Sequence, residues 1–172
     1  MLKILGSIFL IMGFGVIGLV VARNLSLRPL ELRQVQNGLK MLETEILYGL
    51  TPLPEALSRV SNQISFPINK LFSQSSNYLK NGEGLTAGEA WEISLNELEQ
   101  ESSLLAEDIE ILISFGKGLG GSDRDEQTKH LKLVQDHLKN AEFKAEKIKE
   151  TNQKVYKYLG FSFGAVIALI LV

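Results

Sequence analysis

Residues 131–159, LKLVQDHLKNAEFKAEKIKETNQKVYKYL, decide the fold. Leu131, Val134, Leu138, Ala141, Ala145, Ile148, Asn152, Val155 and Leu159 recur at intervals of three and four, the spacing that brings side chains onto one narrow face of an α-helix. No Pro or Gly interrupts the run before Gly160, so the pattern predicts one long helix that packs a seam against a neighbour. Small Ala141 and Ala145 allow that neighbour a close approach. The opposite face carries Glu142, Lys144, Glu146, Lys147, Lys149 and Glu150 and reads as solvated.

Upstream, Asp123 and Glu126 form a box-like helix start, preceded by a glycine-rich break from Gly116 to Gly121. Leu105, Ile109, Leu112 and Phe115 predict a helix from about Ser102 to Phe115. Thr86 and Glu89 have the spacing of a capping box, opening a helix that carries Ala87, Ala90, Trp91, Leu95 and Leu98. Asn81-Gly82-Glu83-Gly84 breaks the chain before it. Pro67 opens a short helix bearing Ile68, Leu71, Phe72 and Leu79. Thr51 as N-cap and Pro52 at the first helical position open another, with Leu53, Ala56, Leu57 and Val60 as its apolar face. Arg28-Pro29 is expected to start the helix of Leu32, Val35, Leu39, Leu42 and Ile46, which Gly49 ends. No useful period-two stretch and no internal repeat occurs, so the fold class is all-α.

Both ends of the chain are apolar. Ile4 to Ala22 is uncharged and, as a helix, spans roughly 28 Å at about 1.5 Å per residue, close to a bilayer core. A cleavable secretory leader is the alternative, with Lys3 as its basic end and Val20-x-Ala22 as a passable cleavage site. The apolar run is long for a leader, however, and Arg23, Arg28 and Arg33 follow it in a retention pattern. Leu159 to Val172 is shorter, roughly 21 Å of helix, and follows the interfacial aromatics Tyr156 and Tyr158. Its alternative is a buried core helix. The expected organisation is a transmembrane helix over 1–24, a cytoplasmic helical bundle over 25–157 and a membrane segment over 158–172. Lys144, Lys147, Lys149, Lys154 and Lys157 precede the second segment, so the basic flanks put the bundle in the cytoplasm and both termini across the membrane.

The 172 residues are 45% hydrophobic and 22% charged, with net charge −2 and no cysteine. This balance gives no basic field for nucleic acid and excludes a disulfide scaffold or a cysteine zinc site. Gly116-x-Gly118-x-x-Gly121 matches the dinucleotide fingerprint, but that motif needs a preceding strand and a second strand bearing an acid. Lys117 is followed by Gly, so there is no phosphate-binding P-loop. His130 and His137 lie two turns apart, too far along a helix to share one metal. No Gly-x-Ser-x-Gly elbow occurs. No catalytic, cofactor or metal residue is assigned.

Two candidate contact features remain. One is the turn bearing Gly116, Lys117, Gly118, Gly120, Gly121, Asp123, Arg124 and Asp125, where concentrated glycine predicts positive φ or close backbone approach. It reads either as a docking edge or as a plain interhelical turn. The other is the stripe of Gly160, Gly164 and Ala168, which permits close helix contact in lipid. Gly18 and Ala22 repeat it in the first apolar run.

The chain resembles the stage III sporulation protein AB family of endospore-forming bacteria. The resemblance rests on Arg28-Pro29 with the leucine-rich helix through Glu45-Ile46-Leu47-Tyr48-Gly49, and on Thr51-Pro52-Leu53. It rests also on Thr86-Ala87-Gly88-Glu89-Ala90-Trp91, on Phe115-Gly116-Lys117-Gly118-Leu119-Gly120 with Asp123, Gln127 and His130, and on the anchor beginning Leu159-Gly160-Phe161. It implies a non-enzymatic platform or assembly component of the channel between mother cell and forespore, similar to the platform proteins of type II secretion and type IV pilus machines. It implies the outer forespore membrane as location, with other stage III channel proteins and a cytoplasmic ATPase as partners. A homo-oligomer stays open. The alternatives are a membrane-anchored helical scaffold or signalling protein, and a membrane-anchored enzyme with an unrecognised site.

Overall fold

A computed structural model of the protein describes residues 2–81, 84–119 and 124–171; within its helices the side chains of 2–5, 7–11, 47, 124–128, 153, 157, 160, 161, 163–165 and 168–171 are not described. The described residues form helices α1 (Leu2–Leu47), α2 (Leu53–Ser61), α3 (Ile68–Lys80), α4 (Ala87–Glu99), α5 (Ala106–Lys117) and α6 (Arg124–Leu171), with no strand among them. The fold is all-α. Two compact units divide the chain: Met1–Pro29 with Phe143–Val172, and Leu30–Glu142.

The core of Leu30–Glu142 follows from the periodicities. Leu32, Val35, Leu39 and Leu42 of α1 are buried, as are Ala56, Leu57 and Val60 of α2, Ile68, Leu71 and Phe72 of α3, and Ala90, Trp91, Leu95 and Leu98 of α4. Ile109, Leu112 and Phe115 of α5 and Leu131, Val134, Leu138 and Ala141 of α6 complete it. At its centre Trp91 donates its indole N–H to the Leu112 carbonyl at 2.9 Å. Its ring makes edge contacts with Phe72, centroids 5.6 Å apart, and with Phe115 at 5.3 Å. Such pairs contribute about 0.5–1.5 kcal/mol each beyond the area they bury.

Polar bonds tie α1 to α6 inside the same unit. Arg33 donates to one oxygen of the Glu142 carboxylate through Nε at 2.8 Å and Nη2 at 2.7 Å. Gln36 Nε2 donates to the other oxygen at 2.7 Å, and Gln135 Nε2 donates to the Gln36 carbonyl at 3.0 Å. Glu142 therefore does not belong with the solvated face on which its charge pattern placed it: its side chain is only 19% exposed.

Several local expectations are corrected. Pro29 lies inside α1 rather than at a fresh start. An interior proline costs about 3 kcal/mol through one lost hydrogen bond and ring crowding, but each leucine buried beyond it returns about 1.5–3 kcal/mol, so the helix continues. Thr51 does not cap α2. Its hydroxyl donates to Glu45 Oε2 at 2.9 Å, and the N-cap is Pro52, whose carbonyl accepts the N–H groups of Glu55 and Ala56. α1 does end at Leu47, before Gly49, but the left-handed residue there is Leu50, at φ 48°. α5 starts at Ala106 rather than near Ser102. The N–H groups of Glu101 and Ser102 bond back to Leu98, and the buried Asp108 carboxylate accepts the Leu105 N–H at 2.9 Å.

The Thr86 expectation holds in both halves. The Glu89 N–H donates to the Thr86 hydroxyl at 3.3 Å, and the Thr86 N–H donates to Glu89 Oε2 at 2.8 Å. Pro67 precedes α3 through a cis Phe66–Pro67 peptide. Among the described residues, no helix is long and apolar enough to cross a membrane.

Replacing Trp91 by Ala should cost about 3–5 kcal/mol, because a fully buried aromatic leaves a cavity that its neighbours fill only partly. Thr86→Ala should cost about 1 kcal/mol as the loss of one cap. Urea unfolding followed by circular dichroism reads both, and equal costs for the two variants would contradict the packing described.

Candidate contact surfaces

The glycine-rich turn starts inside α5. Gly116 is a buried helical residue, and a Cβ there would lie 2.5 Å from Trp91 Cδ1. Glycine is therefore required by the indole and not by backbone conformation. Gly118 caps α5 at φ −86° with its N–H on the Phe115 carbonyl at 3.1 Å. Neither glycine takes the positive φ that the sequence suggests. Lys117 is exposed in the last turn of α5, where its charge complements the carbonyl end of the helix. Gly120, Gly121 and Asp123 lie outside the described residues; Arg124 and Asp125 begin α6, and their side chains are not described. Because Gly116 closes a helix and follows no strand, the dinucleotide reading of Gly116-x-Gly118-x-x-Gly121 loses the context it needs.

A cleft of ≈ 250 Å³ runs beside that turn, between α5 and α6. Its floor is Ile111, Leu133 and Val134; Glu107 and Glu110 line it from α5, and His130 and His137 from α6. His130 Nε2 is 2.9 Å from the Ser114 carbonyl, which fixes that ring. Sequence reasoning takes both histidines as surface or seam residues. What it misses is that Leu133, one turn from each, is left open beside the glutamates of α5. Among the described residues, no group of three or more His, Asp or Glu side chains could hold a metal ion.

A second cleft, ≈ 390 Å³, lies between α3 and α4 and is polar. Lys70 Nζ bonds both Glu101 oxygens across it, at 2.6 and 2.7 Å. Exposed pairs of this kind contribute about 0–1 kcal/mol, so it reads as surface trim.

Burial alters the chemistry of the Glu31 carboxylate. It accepts the Ser103 N–H at 2.6 Å, joining α1 to the segment between α4 and α5. Burial pushes its carboxyl above the ordinary range, and the backbone and hydroxyl bonds from Ser103 pull partly back. Both bonds come from Ser103, in the segment between α4 and α5, so the role of Glu31 is to hold a loop.

In the unit formed by Met1–Pro29 and Phe143–Val172, small residues face inward. Gly15, Gly18 and Ala22 are buried, while Met12, Val16, Ile17 and Val20 are exposed, Val16 by 58%. Gly160, Gly164 and Ala168 lie within α6, and nothing is described at the level of their side chains.

Three comparisons meet this geometry. The family model for stage III sporulation protein AB matches residues 3–172. The stage III sporulation protein AB of Bacillus subtilis (strain 168) is 39% identical over 171 residues, covering 99% of each chain. A solved structure of a stage III sporulation protein AB superposes with a TM-score of 0.69 at 39% identity, covering 73% of this chain and 98% of that one.

Glu31 yields a pH test. Between the ordinary carboxyl value and its raised folded value, the folded protein holds a proton that the unfolded chain has released, so stability falls as pH rises through that interval. Glu31→Gln keeps an acceptor for Ser103 and should flatten the fall, leaving the variant the more stable form above it. A fall of undiminished steepness in Glu31→Gln would contradict this assignment.

Proposed function

From the premise that this chain belongs to the stage III sporulation protein AB family, we propose that it is a non-enzymatic membrane platform of the channel between mother cell and forespore. The family gives it a role in sporulation; the mechanism is our reading. One observation carries it: the apolar outer face of α1, with Met12, Val16, Ile17 and Val20 exposed around a buried stripe of Gly15, Gly18 and Ala22. Small residues inward and large apolar residues outward is the arrangement of helices that pack in lipid, where burial against a partner brings no hydrophobic gain. The uncharged run from Ile4 to Ala22 and the apolar run from Leu159 to Val172 supply the two membrane segments. The lysines and arginines flanking them place the helical unit on the cytoplasmic side.

In this reading the protein lies in the outer forespore membrane with its helical unit in the mother-cell cytoplasm, as in the platform proteins of secretion machines. Its partners are other stage III channel proteins, a cytoplasmic ATPase among them. A structural role is supported by how the internal polar groups are used. Glu31 holds a loop amide, Asp108 holds the start of α5, and Glu142 holds Arg33 and Gln36.

Two charges at the membrane face test the proposal. An Asp at the centre of a spanning helix costs about 2.5–3.5 kcal/mol, so Val16→Asp combined with Val20→Asp should release the chain from membranes washed in alkaline carbonate and abolish spore formation. His130→Gln combined with His137→Gln should leave spore yield unchanged. A wild-type chain that the carbonate wash itself releases would overturn the membrane reading, and loss of spores in the histidine variant would reopen the enzymatic one.

A further inference from the structure

Charge is distributed unevenly along the chain. The whole carries −2, yet in the unit of Met1–Pro29 and Phe143–Val172 the acids are Glu146 and Glu150 alone. Lys149 already answers Glu146 at 2.8 Å. Against them Arg23, Lys144, Lys147 and Lys154 are exposed, and none of the four makes an ion pair among the described residues. Glu150, one turn before Lys154, leaves it unpaired too.

Lys154 stands where α6 turns apolar. Lys154, Val155, Tyr156, Tyr158 and Leu159 are all exposed, Tyr158 by 68%. At about 3.6 residues per turn these positions sweep more than half of the helix circumference. Val155 and Leu159 are ill suited to water and Lys154 to hydrocarbon, and the polar layer of a bilayer accepts both kinds. Tyr158 lies one turn beyond Lys154 on the same face, about 6 Å further along the axis. Helical side chains lean toward the N-terminus of their helix. Because α6 meets its apolar run at its C-terminal end, the Lys154 and Tyr158 tips lean away from the hydrocarbon. An ammonium and a phenol O–H there offer donors to one acidic oxygen group. On α1, Arg23 directly follows the uncharged run and so stands at the same edge of the bilayer.

We propose that Arg23, Lys154 and Tyr158 form a collar that binds the headgroup phosphates of anionic phospholipid in the cytoplasmic leaflet. The inference rests on the membrane reading above and adds to it the class of lipid. Charge selects that class. A zwitterionic headgroup brings its own cation against Arg23 and Lys154, whereas an anionic headgroup brings none. The Arg23 guanidinium can take phosphate through two N–H groups at once, and the Lys154 ammonium acts as a point charge. The acyl chains of the same lipid then cover Leu159, which protein leaves open.

The full-length protein in phosphatidylcholine vesicles tests this. Electron spin resonance should show spin-labelled phosphatidylglycerol immobilised at the protein at least about threefold more than spin-labelled phosphatidylcholine, and added salt should narrow the difference. Arg23→Gln combined with Lys154→Gln should bring the two lipids to parity, and Tyr158→Phe should lower the preference part of the way. Lys154→Arg keeps the charge and should preserve it. Lys144→Gln, about 15 Å before Lys154 along the axis, should leave it unchanged. Parity in a wild-type protein that does enter the vesicles would overturn the lipid class and spare the membrane reading. A wild-type protein that fails to enter them would overturn both. A loss in Lys144→Gln as large as in the double variant would overturn the collar by assigning the preference to diffuse charge. Loss of the preference in excess inorganic phosphate at constant ionic strength would overturn it by assigning the collar to free phosphate. Circular dichroism of every variant separates these outcomes from misfolding.

Discussion

The indole of Trp91 sets the spacing of the helices around it. It reaches Phe72 of α3 and Phe115 of α5, and its N–H takes a second lone pair on the Leu112 carbonyl without requiring that α5 open. Two glycines make room for this cluster. Gly38 of α1 faces the Phe72 ring so closely that a Cβ would collide with it, and Gly116 does the same for Trp91. A core packed to this density transmits a change of one methyl group, so α1, α3, α4 and α5 are held to mutually consistent positions. The short helices need this: at 9 to 13 residues, α2 through α5 are too short to persist alone in water.

The two compact units spend their apolar surface differently. Leu30–Glu142 buries its large side chains and pairs several of the polar groups that burial takes from water, through the Arg33–Glu142–Gln36 bonds and the Glu31–Ser103 bond. The unit of Met1–Pro29 and Phe143–Val172 keeps valine, isoleucine and methionine on its outside. The first pattern suits water and the second suits lipid, and that contrast underlies the proposed platform role.

How much of this was legible in the sequence depended on range. The Thr86–Glu89 box was legible because both partners lie within one turn. The seam of α6 was legible from Leu131 through Val134, Leu138 and Ala141 to Ala145, because period alone reveals a buried face, but Ile148, Val155 and Leu159 at the same spacing are exposed. Glu142 was misread because its partner Arg33 is 109 positions away, and no local pattern distinguishes a clamped carboxylate from a solvated one. Gly116 was misread for the same reason: in a run of glycines it looks like a turn residue, and only the approach of Trp91 shows why no side chain fits. Thr51 lost its capping role to a tertiary bond with Glu45. Of the candidate turn, Gly116, Lys117 and Gly118 belong to the end of α5, and the rest is not placed at side-chain level. The family was legible because its blocks are spread over nearly the whole chain, and the family match covers residues 3–172.

The most direct test of the account is a double-mutant cycle between Gly116 and Trp91. In the natural background Gly116→Ala should destabilise by about 1–3 kcal/mol, since the added methyl has no space against the indole. With Trp91→Leu already present the clash is gone, and the same change should be neutral or stabilising by up to about 1 kcal/mol, as alanine is the better helix former. An equal cost in both backgrounds would contradict the claim that the indole dictates glycine at position 116 and, with it, the spacing of the bundle.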